Sequence, residues 1–322
     1  MGFAIIWVML YHVGIEVSNP VISYLKETGY GGVDIFVFCT GVGCYYSLSK
    51  NSDTLDFFFR RATRIYPSYW PFLPIWFAYK YFTGEFHEAY VIGNIIGVQS
   101  FTGNWNEVTW YISALFLFYM ICPIIFAIVE RYGDDIRRCI YVFAFILFGT
   151  VAFWNSLHMN MSTTRIPLLF LGMVFAKLAK RGMEMPKHTL LYALLGVVIG
   201  DAILVCFMEF MKDKIRPWGL WWYPFIIIAP CICVIISFVS NVIEGNKIGC
   251  KILKITEKIG KMSFELLLTH LVIFDITERL LSTANSNYKD IIWLGAFGAS
   301  MVCGFILFTI SEAIRRKVRR ER

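Results

Sequence analysis

Leu190-Leu-Tyr-Ala-Leu-Leu-Gly-Val-Val-Ile-Gly-Asp-Ala-Ile-Leu-Val-Cys-Phe207 is apolar on every face, and Tyr141-Val-Phe-Ala-Phe-Ile-Leu-Phe-Gly-Thr-Val-Ala-Phe153 repeats the pattern. A helix on the outside of a soluble domain keeps a polar face, whereas one apolar all round is surrounded by protein or lipid. Strands of a membrane barrel read as alternating segments of about ten residues, and these segments do not alternate. The two stretches predict membrane-crossing helices.

The rest of the chain repeats this signal. Of its 322 residues, 57% are apolar, 17% aromatic and only 16% charged, against roughly 25% charged in soluble domains. Crossing a hydrocarbon core of roughly 30 Å takes about 20 helical residues. Runs of that order are expected at 2–18, 31–49, 66–82, 107–129, 138–156, 163–180, 189–209, 219–241, 262–281 and 290–314, with 88–101 as a weakly apolar segment that re-enters the membrane. The gaps are too short for a soluble domain, so one all-α bundle of about ten spans is expected over residues 1–322. The first run lacks a basic leader and a small-residue cleavage site and carries His12, which makes it a span rather than a signal peptide.

Charge gives the expected orientation. Lys50 with Arg60, Arg61 and Arg64, the loops at 131–138, 177–187 and 247–261, and the tail from Arg315 hold 22 of the 30 lysines and arginines, all in alternate connections. The positive-inside rule places that side, and both termini, in the cytoplasm of a multi-pass plasma-membrane protein. The net charge of +7 is then an orientation signal, and no nucleic-acid partner is expected. Nine cysteines, mostly within apolar runs, include the close pairs Cys39/Cys44 and Cys231/Cys233, which lack zinc-ligand spacing. No metal is expected.

Ionisable groups inside spans cost on the order of 2.5–3.5 kcal/mol each at mid-membrane and so mark the functional interior. His12 and Asp34 both fall near the outer ends of adjacent antiparallel spans. Their expected contact, with the carboxylate fixing the imidazole tautomer, is what a general base needs. A helix-capping aspartate and a histidine bonded to a backbone carbonyl would give the same residues. Arg60, Arg61 and Arg64 share a helical face at the cytoplasmic mouth of the third span, a cluster that suits phosphate groups or anionic lipid. Arg165 opens the sixth span on the outer side, where topology does not call for a cation. His270, near the middle of the ninth span, demands a partner, with Glu265 or Ser263 one to two turns below it. Trp70, Trp105, Trp110, Trp218, Trp221 and Trp222 lie at span ends, as interface belts require.

In order, Gly2-Phe-Ala-Ile-Ile-Trp-Val-Met-Leu-Tyr-His12, Gly32-Val-Asp34-Ile-Phe-Val-Phe-Cys-Thr-Gly41, Phe58-Phe-Arg60-Arg61-Ala-Thr-Arg64-Ile-Tyr-Pro67, Thr109-Trp110-Tyr-Ile-Ser113, Arg165-Ile-Pro-Leu-Leu-Phe-Leu-Gly172 and Ile259-Gly-Lys-Met-Ser263-Phe-Glu-Leu-Leu-Leu-Thr-His270 resemble the acyltransferase family 3 membrane proteins. The resemblance spans nearly the whole chain. It implies transfer of an acyl group, most simply acetyl, from acyl-coenzyme A to a hydroxyl or amine of a glycan, lipid or small metabolite of the cell envelope. His12 and Asp34 are then the catalytic pair, Arg60, Arg61 and Arg64 the donor-phosphate site, and Arg165, Trp110 and His270 the substrate contacts. Two positions depart from the family pattern: Met1 stands where a basic residue is usual, and Ala114 where many polysaccharide-acetylating members carry Glu. A proton-coupled transporter or flippase is the competing expectation, because intramembrane His, Asp and Arg also build ion paths.

Overall fold

The computed structural model describes residues 1–102, 109–152, 160–211, 219–283 and 288–320. Among these there is no strand. The helices are α1 Gly2–His12, α2 Pro20–Glu27, α3 Gly32–Lys50, α4 Thr54–Phe82, α5 Val91–Ile96, α6 Trp110–Tyr132, α7 Ile136–Ala152, α8 Asn160–Thr163, α9 Ile166–Lys180, α10 Thr189–Phe210, α11 Phe225–Glu244, α12 Lys247–Lys261, α13 Ser263–Thr283 and α14 Lys289–Arg320. Short 3-10 turns at Gly29–Gly31, Glu88–Tyr90, Gln99–Thr102 and Leu220–Trp222 join them.

Among the described residues, six helical stretches are long and apolar enough to cross a membrane: Pro20–Lys50, Trp110–Tyr132, Met161–Lys180, Thr189–Phe210, Leu220–Glu244 and Lys289–Arg320. The other four expected spans differ for physical reasons. Helix α1 has only 11 residues, and the described part of α7 has 17. Helices α4 and α13 have the length, at 29 and 21 residues, but α4 is diluted by Pro67, Pro71 and Pro74 among its tyrosines and tryptophans, and α13 carries Glu265, Asp275, Glu278 and Arg279. Trp105 and Trp218 lie outside the described residues.

Close packing of α3 on α9 sets the centre of the bundle. The two run parallel, Asp34 meeting Arg165 near their starts and Gly41 meeting Gly172 seven residues further on. A Cβ at Gly41 would stand 2.3 Å from the Leu169 carbonyl oxygen, and one at Gly172 2.2 Å from that of Phe38. Only glycine permits this backbone approach, the small-residue packing by which membrane helices associate.

The segment after α4 does turn back along that helix. Carbonyls at the end of α5 accept from α4 side chains: Tyr69 Oη donates to Asn94 O at 2.7 Å, Tyr66 Oη to Ile96 O at 2.8 Å and Trp70 Nε1 to Ile95 O at 3.2 Å. Gly97 ends α5 in the left-handed region at φ 88°. Irregular backbone beside membrane helices is tolerated where protein groups satisfy it in this way. At the C-terminal end of α4, Lys80 and Arg279 both bind Glu85 and hold its carboxyl below the ordinary carboxylate range.

The opposite end gathers the basic segments. Lys177, 1% exposed, donates to the carbonyls of Val129 and Glu130 at the C-terminus of α6 and pairs with Asp134 at 3.1 Å. A buried ammonium is stable there because it meets the negative end of a helix and a carboxylate together.

Candidate active site

A cavity of about 1060 Å³ opens at the basic end. Arg60, Arg61 and Arg64 of α4 line it, and Lys261, Arg315 and Arg319 join them from α12 and α14. Arg60 is partly neutralised by Asp56 and bonds Ser47 Oγ at 3.2 Å. Arg61 lies over the Phe57 and Tyr119 rings at 5.2 and 5.7 Å, and its buried Nε has no hydrogen-bond partner among the described residues.

Deeper in the wall lies a carboxylate that the sequence suggested as the partner of His270. Glu265, 1% exposed, instead accepts at Oε1 from Ser68 at 2.6 Å, Ser311 at 3.0 Å and Arg315 at 3.2 Å. Its Oε2 and the Nε of Arg315 lack hydrogen-bond partners among the described residues. Helical geometry explains the change: Glu265 and His270 are five residues apart and point to different sides of α13. Glu265 therefore meets α4 and α14.

The cavity reaches along α3, α6 and α13 as far as Phe36, Tyr111 and Leu267. These stand one to three residues from Asp34, Trp110 and His270 along their helices, a rise of roughly 2–5 Å. The inner end thus comes within about one helical turn of a second cluster.

That cluster has two parts. In the first, Arg165 and Asp34, each 2% exposed, form an ion pair with Nε–Oδ1 at 3.1 Å and a hydrogen bond from the second terminal nitrogen to Oδ2 at 3.2 Å. The guanidinium also donates to the Met161 carbonyl and lies between the Trp110 and Trp222 rings, 5.7 and 5.6 Å from their centroids. In the second, His12 stands beside His270, with ring centroids 5.4 Å apart. His270 is fully buried, and its Nδ1 lies 2.8 Å from the Leu266 carbonyl oxygen. A carbonyl only accepts, so Nδ1 carries the proton, and in the neutral ring Nε2 carries the lone pair. That Nε2 is buried with no hydrogen-bond partner among the described residues. His12 itself is exposed.

The expected His12–Asp34 contact is therefore replaced by two others: Asp34 pairs with Arg165, and His12 neighbours His270. Aromatic rings connect the parts, from His12 to Tyr11 at 4.8 Å, Tyr11 to Tyr30 at 5.6 Å, Tyr30 to Trp221 at 5.6 Å and Trp221 to Trp222 at 4.9 Å. Tyr30 sits in the turn just before α3, in the loop that was expected to bring His12 to Asp34, and its ring packs on Tyr11. Trp110 and Trp222 belong to the site as well as to the span ends where their sequence positions put them.

Sequence reasoning missed Arg315, Arg319 and Lys261 as cavity residues, because basic residues in a loop and tail carry an orientation signal that hides a second use. Besides a substrate contact, an ion pair was among the roles expected of Arg165, but its partner Asp34, 131 residues away, was not. No curated protein and no solved structure matches the chain. The sequence model of the family described as an acyltransferase domain matches residues 2–310, nearly the whole length. The chain belongs to that family of acyltransferases, the one its ordered motifs resemble.

Proposed function

We propose that this membrane acyltransferase takes its acyl group from acyl-coenzyme A bound at the basic end, acetyl being the simplest case, and passes it to a hydroxyl or amine presented near His12. The observation that carries this reading is the arginine-rich cavity whose lining reaches Leu267, within about one helical turn of His270. Clustered guanidiniums suit phosphate oxygens, so the nucleotide end of the donor lies among Arg60, Arg61, Arg64 and Arg315. Its pantetheine arm follows the cavity inward past Glu265.

His12 acts as general base. It takes the proton of the acceptor hydroxyl as the oxygen attacks the thioester carbonyl; collapse of the tetrahedral intermediate breaks the C–S bond, and the proton passes to the departing thiolate. Ester and free coenzyme A leave, with atoms and charge balanced. His270 takes over the steadying role first assigned to Asp34, offering Nε2 to a proton on His12. Asp34 acts at one remove by holding Arg165, whose positive charge favours the oxyanion.

The acceptor is a glycan, lipid or small metabolite reaching the site from the side opposite the basic end. By the positive-inside rule the basic end is cytoplasmic, with both termini there, and the shorter or more charged helices α1, α4, α7 and α13 complete about ten spans of a plasma-membrane protein.

Coenzyme A titrated into the protein in nanodiscs tests the donor site. Arg64→Ala is expected to weaken binding about tenfold or more, the value of one charge-assisted phosphate contact, while leaving thermal stability unchanged. Equal affinity of variant and wild type removes Arg64 from the site, and no binding by the wild type removes coenzyme A as donor.

A further inference from the structure

Helix α12, Lys247-Ile-Gly-Cys-Lys-Ile-Leu-Lys-Ile-Thr-Glu-Lys-Ile-Gly-Lys261, carries three rows of residues at the same helical spacing. Gly249, Leu253, Thr256 and Gly260 form one row, and it faces the bundle: Gly249 is buried, and a Cβ on Gly2 would stand 2.1 Å from the Thr256 carbonyl oxygen. Leu253, Thr256 and Gly260 are also part of the cavity wall.

Beside it runs Ile248, Ile252, Ile255 and Ile259. The first three are 67, 51 and 58% exposed. A continuous row of large aliphatic side chains facing water is costly, whereas facing acyl chains it is already solvated. On the far side of the isoleucines runs Lys247, Lys251, Lys254 and Lys258, one residue out of step. All four are exposed, and none has a carboxylate partner among the described residues. Lys261 continues the basic side but pairs with Glu257 at 2.6 Å.

The order of the rows fixes how such a helix lies: one side on the protein, the next in the hydrocarbon boundary and the third at headgroup level. We infer that α12 lies flat in the leaflet at the basic end and binds anionic phospholipid headgroups through Lys247, Lys251, Lys254 and Lys258. Charge complementarity selects the occupant, because an unpaired lysine row beside an embedded isoleucine row matches the phosphates of an acidic leaflet. A solvated basic loop would need no isoleucine row beside it. This lysine row is separate from the cavity lining and does not depend on the donor reading.

Hydrogen–deuterium exchange of the full chain in nanodiscs tests it, comparing phosphatidylcholine alone with the same lipid containing about one third phosphatidylglycerol. Amides of 247–261 are expected to exchange at least about fivefold more slowly in the acidic discs. That gain should vanish at high salt and in the combined Lys247→Gln, Lys251→Gln, Lys254→Gln, Lys258→Gln variant, with unchanged exchange in α3 and α9 showing that the variant is folded. Equal exchange of this segment in both discs overturns the inference. So does protection of the lysine row by coenzyme A in neutral discs matching that by acidic lipid, which would assign these lysines to a soluble phosphate ligand.

Discussion

His12→Ala is expected to lower the rate of acyl transfer by about 10²–10⁴-fold, the usual contribution of a positioned general base, with coenzyme A affinity unchanged. The two effects separate because His12 stands beside His270 rather than in the lining of the arginine cavity. A single-turnover assay with saturating donor reads the chemistry, and equilibrium titration reads the binding. The exposed position of His12 makes the variant a mild test of folding. Transfer at the wild-type rate would remove His12 as the base. A parallel loss of donor affinity would mean that the cavity and the histidines are not separate regions.

Asp34→Ala is expected to destabilise the protein by about 3–5 kcal/mol, because it leaves the Arg165 guanidinium buried without its carboxylate. The pair is nearly inaccessible, and Trp110 and Trp222 flank the cation, so water cannot take the missing partner's place. Replacing both, as Asp34→Ala with Arg165→Met, should recover much of the lost stability, since exchanging a buried pair for apolar groups is often close to neutral. Thermal unfolding in detergent reads both variants. A double variant no more stable than Asp34→Ala would show that the carboxylate does something beyond holding Arg165, such as the contact with His12 that sequence position alone suggested.

The helical class was legible because it rests on composition and periodicity, which are local properties. Leu190–Phe207 and the runs like it are read without knowing what they touch. The candidate residues were legible for a related reason: a charged or titratable side chain inside an apolar run is conspicuous. What position along the chain could not give was pairing. His12 and Asp34 are near the same end of adjacent helices, yet the turn Gly29–Gly31 places Tyr30 in contact with Tyr11, and parallel packing of α3 on α9 delivers Arg165 to Asp34 from far along the chain.

Length misled in a different way. Glu265, Asp275, Glu278 and Arg279 lower the apolar character of α13, and Pro67, Pro71 and Pro74 among tyrosines and tryptophans do the same for α4. Glu265 also lines the cavity, so one residue of the interior weakens the span signal of its own helix. The same ambiguity hid Arg315. In the sequence it is one of several basic residues in a tail, whereas in the fold it reaches Ser68 at 2.7 Å and the Arg64 carbonyl at 2.9 Å. It thereby ties α14 to α4 across the cavity wall.

The central claim is that one continuous path joins donor phosphates at the basic end to chemistry at the histidine cluster. Its most direct test is photolabelling in nanodiscs with a coenzyme A thioester whose acyl chain carries a benzophenone, followed by peptide mapping. The path predicts labelling around Phe36, Tyr111 and Leu267, competed away by unlabelled coenzyme A and lost in Arg64→Ala. Labels confined to lipid-facing residues, or labels at these three positions that coenzyme A cannot displace, would contradict it.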